Sequence, residues 1–309
     1  MQLARGNQAF LGEAFSKLEF VMKIRAGYSI TFDSPAPTPI NFLLSVHPNR
    51  RGDLLTPDVC SPHVHWAVGD CPTETITDPF GNLVTRVVAP RGPVTFSSDF
   101  LINDSGLIEP AFPQARQTAV EDLPGETLQF LLPSRYCESD ELSGLAWSLF
   151  GATEPGWARV EAIVNWTHNR LTYDYKRARS TRTARMSHEE ETGVCRDYAH
   201  LAIALCRAMN IPARYCTGYL GDIGVPAVDA PMDFSAWFEV YLEGGWYTFD
   251  ARHNAPRIGR VVIARGRDAA DVAITHTFGT AWLTNFTVIT REIDAGARMP
   301  GAAELMAAE

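Results

Sequence analysis

The chain has 309 residues, of which 46% are apolar, 10% aromatic and 20% charged. That composition excludes wholesale disorder, and at about 150 residues per domain it sets an expectation of two packed units. Lys and Arg number 27 against 36 Asp and Glu, and a net charge of −9 argues against a large nucleic-acid-binding face. No apolar run approaches the ~18 residues of a membrane span. The opening stretch to Met22 is interrupted by Arg5, Glu13, Lys17 and Glu19 and lacks the apolar block of a secretion signal. A cytoplasmic protein is therefore expected, with Met22 an equally good start. Cys60, Cys71, Cys137, Cys195, Cys206 and Cys216 follow no regular spacing, so free thiols are the expectation.

In chain order, residues 20–126 carry short alternating or β-branched runs, among them Tyr28 to Phe32, Ile40 to Val46 and Leu83 to Val88. Prolines and the turn Asp78-Pro-Phe-Gly-Asn82 break them, which predicts an all-β sandwich or barrel. The Pro-rich stretch from Pro110 to Pro133 looks like a connector, which is assigned to residues 127–152. In residues 153–295 the period changes. Thr153-Glu-Pro155 starts a helix that repeats Val160, Ile163, Val164, Thr167 and Leu171 at helical spacing, and a second helix runs from about Val194 until Asn210-Ile-Pro212 stops it. Three strands follow, at about Ala213 to Leu220, Ala236 to Leu242 and Trp246 to Asp250. A helix ahead of an antiparallel sheet is an α+β arrangement.

Cys195 falls in the first turn of the second helix, where unpaired N–H groups and the helix dipole favour a thiolate, so a lowered pKa is expected. Gly193 suits a sharp turn that lets a substrate carbonyl approach, and Val194 precedes the sulfur. Cys206, mid-helix among Ala, Leu and Met, reads as core. The segment Gly193-Val-Cys-Arg-Asp-Tyr-Ala-His-Leu201, with Arg207-Ala-Met-Asn-Ile-Pro-Ala-Arg214, Thr217-Gly-Tyr219, Ala236-Trp-Phe-Glu-Val-Tyr-Leu242 and Gly245-Trp-Tyr-Thr-Phe-Asp250, resembles the transglutaminase-like superfamily of papain-fold cysteine enzymes. His47-Pro48, Asp78 to Asn82 and Thr85-Arg86 look like the amino-terminal β-domain that accompanies bacterial members.

The resemblance implies a papain-like domain with a Cys–His–Asp triad, in which Cys195 is the nucleophile and Asp250 the residue that orients the histidine. It also implies a peptide or protein substrate and a thioester resolved by water, as in a peptidase or amidase. The family's histidine position, ahead of Ala-Trp, is Ser235 here, and a serine hydroxyl cannot serve as a base near neutral pH. Either another histidine substitutes or the chain is a catalytically impaired binding module. His200, five residues past Cys195, points away around the helix, and His188 sits among Glu189, Glu190 and Glu191 in what reads as a loop. His253 is a possible substitute base. A turn at Glu243-Gly-Gly245 sets Ser235 opposite His253, a turn at Leu242-Glu243 sets it opposite Asp250, and a regular ladder excludes having both. The bland reading of His253 is a surface residue at a strand end. Trp237 is either strand core or a wall of the substrate cleft. Arg196 and Asp197 read as a solvated or locally bridged pair, and the basic run from Lys176 through Arg182 and Arg185 as a solvated loop. No cluster with metal-ligand spacing and no phosphate-cradling loop is present, so neither metal nor cofactor is expected. Sequence leaves the oligomeric state open.

Overall fold

The computed structural model describes residues 22–65, 71–229 and 231–293. The stretch read for a leader and the last residues assigned to the second unit lie outside them. Alternation governs the first half. In β1 (Met22–Ser34) Ile24, Ala26, Tyr28, Ile30 and Phe32 turn inward at every second position. β2 (Thr38–Phe42), β3 (Ser61–Val64), β4 (Thr73–Thr77), β5 (Leu83–Ala89) and β6 (Gly92–Asp104) follow. They divide between two antiparallel sheets that meet through Phe42 of β2, whose ring lies 4.6 Å from Phe96 of β6 and 6.2 Å from Phe32 of β1.

The second half begins with α1 (Ser143–Phe150), α2 (Trp157–Arg170), β7 (Thr172–Tyr173), α3 (Ala184–Glu190), β8 (Thr192–Gly193) and α4 (Cys195–Ala208). Then come β9 (Ala213–Tyr219), β10 (Ser235–Leu242), β11 (Gly245–Phe249), β12 (Val261–Gly266), β13 (Thr275–Thr277) and β14 (Trp282–Ile293). Leu201 through Cys206 are all fully buried, so this stretch of α4 is enclosed on every side and forms the axis of this half. The sheet β11-β10-β9-β12 packs against α4 from one side, and α1, α2 and α3 pack from the others. No helix among the described residues is long and apolar enough to cross a membrane.

The strand assignments differ from the expected division of the chain. β14 pairs with β1 and β13 with β2, so each completes a four-stranded sheet of the first half: β14-β1-β6-β3 and β13-β2-β5-β4. Residues 275–293, placed in the second unit by sequence position, therefore return to the first. The alternation of β14 marks it as a strand but carries no information about which edge it joins. The stretch assigned as connector contains α1, whose Phe150 ring lies 6.1 Å from Trp166 of α2. Asn82 ties the halves together. Its fully buried amide donates to Arg265 O and accepts from Arg265 N, both at 2.8 Å.

The hairpin between β10 and β11 turns on Glu243 and Gly244, at φ +41° and +83°, with Leu242 opposite Gly245. Positive φ at both central residues is the two-residue turn that matches the natural strand twist. Its register lies between the two that sequence suggests.

Candidate functional site

Cys195 is the first residue of α4, and Val194 is the residue that caps it. The Asp197 carboxylate accepts the Val194 N–H at 3.0 Å and the Arg182 Nη1 at 3.0 Å, with both charged side chains wholly buried. Arg182 and Asp197 therefore form a buried structural pair rather than solvated charges, and Arg182 also reaches Glu190 at 3.2 Å. Gly193 has a different purpose from the one expected. A Cβ there would stand 2.6 Å from the Asp197 Cβ, so glycine makes room for the carboxylate that fixes the helix start, not for a substrate carbonyl.

All six cysteines are free, and Cys195 alone among them is half-buried where the other five are buried. Its thiol is nevertheless pushed up by burial, against the opposing influence of the Arg252 guanidinium and of N–H bonds from Ala236 and Arg196. The expected lowering is thus corrected: desolvation of the sulfur outweighs the helix-end effect.

Asp250 follows the last residue of β11 and begins a tight turn. Its Oδ1 accepts the backbone N–H groups of Arg252 and His253, each at 3.0 Å, and its Oδ2 accepts His253 Nδ1 and Arg260 Nη2, each at 2.8 Å. Arg260 also pairs with Glu109 at 2.8 Å, so a line of charge runs from the first half of the chain into the dyad. Burial would raise the Asp250 carboxyl, but Arg260 foremost, and then His253, hold it well below the usual carboxylate range. A local turn, rather than strand register, brings His253 to Asp250. His253 therefore lies in a turn beyond β11, partly buried and bonded to Asp250, rather than on the surface at a strand end. His168 on α2 steadies this turn, its Nδ1–H lying 3.1 Å from Ala251 O and 3.0 Å from Arg252 O.

Cys195, Val194, Ser235, Arg252 and His253 line one cavity of about 870 Å³. Ser235 is opposite Gly218 in β9. Trp237 is not in the cavity wall. It is 2% exposed, packed with Cys216 and Val262 beneath the Arg260 guanidinium, which lies 4.9 Å from its ring. Gly193 is likewise absent from the wall. His188 belongs to helix α3, bonded to Arg170 Nε at 3.1 Å, and faces elsewhere. His200 is buried, stacked 5.1 Å from Tyr136, and accepts the Ala269 N–H at 3.2 Å. Sequence reasoning missed Arg252, whose proximity to the thiol depends on the turn at Asp250.

The profile of the transglutaminase-like superfamily matches residues 145–251, which run from α1 to the residue after Asp250. A protein of Cytophaga hutchinsonii whose structure is named "a putative cysteine protease" is 33% identical with a TM-score of 0.75, the match covering 90% of this chain and 92% of that one. An uncharacterized protein of Mycobacterium leprae is 27% identical over 207 residues, 63% of this chain and 72% of the relative. An uncharacterized protein of Mycobacterium tuberculosis is 37% identical over 89 residues, and that match spans only 28% of the relative's length.

Proposed function

Because the chain belongs to the transglutaminase-like superfamily, we propose that it is a cysteine peptidase or amidase in which Cys195 attacks an amide carbonyl and His253 carries the proton. Asp250 is the positioning residue. One observation carries this reading: the most exposed of the six cysteines shares a cavity with a histidine whose Nδ1 is held at 2.8 Å by a buried carboxylate.

With Nδ1–H committed to Asp250, Nε2 is the ring atom left to take the Cys195 proton. The sulfur then forms a bond to the carbonyl carbon, and the carbonyl π electrons move to oxygen. The Cys195 N–H, at the first position of α4, has no intrahelical acceptor and is suited to receive that oxyanion. Collapse expels the amine, which leaves with the proton held by imidazolium, and a thioester remains. Water, deprotonated by His253, cleaves the thioester to a carboxylic acid and restores the thiol. A thiol raised by burial fits transfer to a base during attack rather than a standing thiolate.

Hydrolysis is preferred to amine transfer because the C. hutchinsonii relative, similar over nine-tenths of this chain, carries a protease name. The binding-module alternative rests on Ser235, and an imidazole held in the same cavity leaves that substitution less to explain. The test is to quench the protein during incubation with a panel of acyl-peptide anilides and measure its intact mass. The reading predicts an acyl group on Cys195 that vanishes in Cys195→Ala. No adduct, or one on another residue, would contradict it.

A further inference from the structure

The cavity beside Cys195 has a charge character opposite to that of the protein. Its wall holds four arginines, Arg179, Arg196, Arg252 and Arg257, against two aspartates, Asp222 and Asp233, in a chain of net charge −9. Most of these charges are already engaged. Arg179 pairs with Glu190, Arg196 lies 3.5 Å from Asp197, and Asp233 accepts the Tyr175 hydroxyl at 3.0 Å. Arg252 differs in having no ion pair among the described residues, and Arg257 is held by the longest of these pairs. The Arg252 guanidinium lies 4.3 Å from the Tyr173 ring and has no carboxylate partner among the described residues. The Arg257 side chain is 5% exposed; its Nη2 donates to Gly221 O at 2.8 Å and pairs with Asp222 at 3.7 Å, while its Nε, like that of Arg196, is buried with no hydrogen-bond partner. An unsatisfied guanidinium N–H in a buried wall is costly unless a ligand completes it.

We propose that Arg252 and Arg257 form a carboxylate-binding subsite, so that the preferred substrate carries a carboxylate next to the amide that Cys195 attacks. The inference rests on the reading of Cys195 as nucleophile and adds the substrate class. A guanidinium presents paired N–H donors that match a carboxylate, and in a partly desolvated cavity such a contact discriminates strongly against a neutral isostere. Burial, and then neighbouring positive charges that include Arg260 and Arg252, press Arg257 below the usual guanidinium range, a strain that an anion would relieve. The carboxylate has two possible sources, a chain terminus or an acidic side chain.

Three alkylating probes separate them: iodoacetylglycine, with a terminal carboxylate; iodoacetyl-glutamic acid α-amide, with a side-chain carboxylate; and iodoacetylglycinamide, with none. In each, the Cys195 sulfur displaces iodide to give a thioether that mass spectrometry locates. Rates are normalised to those of mercaptoethanol, a neutral thiol. One or both anionic probes should label Cys195 about tenfold faster than the neutral probe, and the faster of the two names the source. The ratio should fall to near unity in Arg252→Gln and Arg257→Gln, while Arg257→Lys keeps part of it. An imidazolium alone would also attract an anion, but its preference would survive both Gln variants, and that result overturns the subsite. Equal labelling by all three probes in the unaltered protein refutes the subsite and leaves the nucleophile standing. Failure of every probe at Cys195 refutes both.

Discussion

Asp250 holds the Nδ1 of His253 at 2.8 Å although the two residues are only three apart, because the Asp250 carboxylate also closes the turn through the N–H groups of Arg252 and His253. One side chain thus shapes the loop and orients the imidazole. The arrangement makes the loop geometry and the chemistry inseparable.

Replacing Asp250 with Asn should lower amide turnover by about 10³–10⁴, the loss expected when an imidazole loses its tautomer and orientation. It should also cost about 3 kcal/mol of stability, since the buried Arg260 would lose its buried carboxylate partner and keep only the half-buried Glu109. A carboxyl depressed in the folded state stabilises above its unfolded pKa, and that contribution fades as pH falls through the folded value. Arg260→Met removes the strongest influence holding Asp250 down, so its acid-side loss of stability and activity should move to higher pH. Thermal melts and rate profiles across pH 3–7 check both.

Ser235→His should not rescue or raise activity. His253 already occupies the Asp250 carboxylate, and an added imidazole at the buried Ser235 position would crowd the cavity beside Cys195. The expected outcome is a lower rate, measured against the unaltered protein on the same anilide panel.

Alkylation of Cys195 by iodoacetamide should rise with pH through an inflection above the free-thiol value of about 8.5, because burial disfavours the thiolate. Arg252→Gln should move the inflection further up, since that guanidinium is the strongest of the groups opposing burial. An inflection below the free-thiol value would show that the helix end outweighs desolvation.

Gly193→Ala places a methyl group 2.6 Å from the Asp197 Cβ. The carboxylate that caps α4 and pairs with Arg182 must shift, at a cost of about 1–3 kcal/mol. A denaturant midpoint equal to that of the unaltered protein would contradict the close-approach account.

Period and turn residues make the α+β class, helices α2 and α4, and the strands β10 and β11 that flank the site legible in the sequence. Their signals are local: Pro155, the apolar repeat ahead of Asn210-Ile-Pro212, and strict alternation. What stayed hidden was long-range or depended on a single turn. β14 joins β1 across the length of the chain, and no local pattern names an edge partner. Glu243, Gly244 and Gly245 offer several turns, so the sequence allows two hairpin registers, and the one adopted is neither. Strand alternation makes His253 a ladder position, whereas an aspartate-closed turn brings it to Asp250. Trp237 was legible as an aromatic on a strand, but which face it uses depends on Arg260 and the packing of β12.

The most direct test of the account is the release of aromatic amine from the acyl-peptide anilide panel by the unaltered protein and by His253→Gln, both verified as folded. If His253 passes the Cys195 proton to the leaving amine, the substitution should reduce turnover by about 10³ or more while Cys195 remains open to alkylation. Turnover that persists without the imidazole, or is absent when it is present, would contradict the assignment.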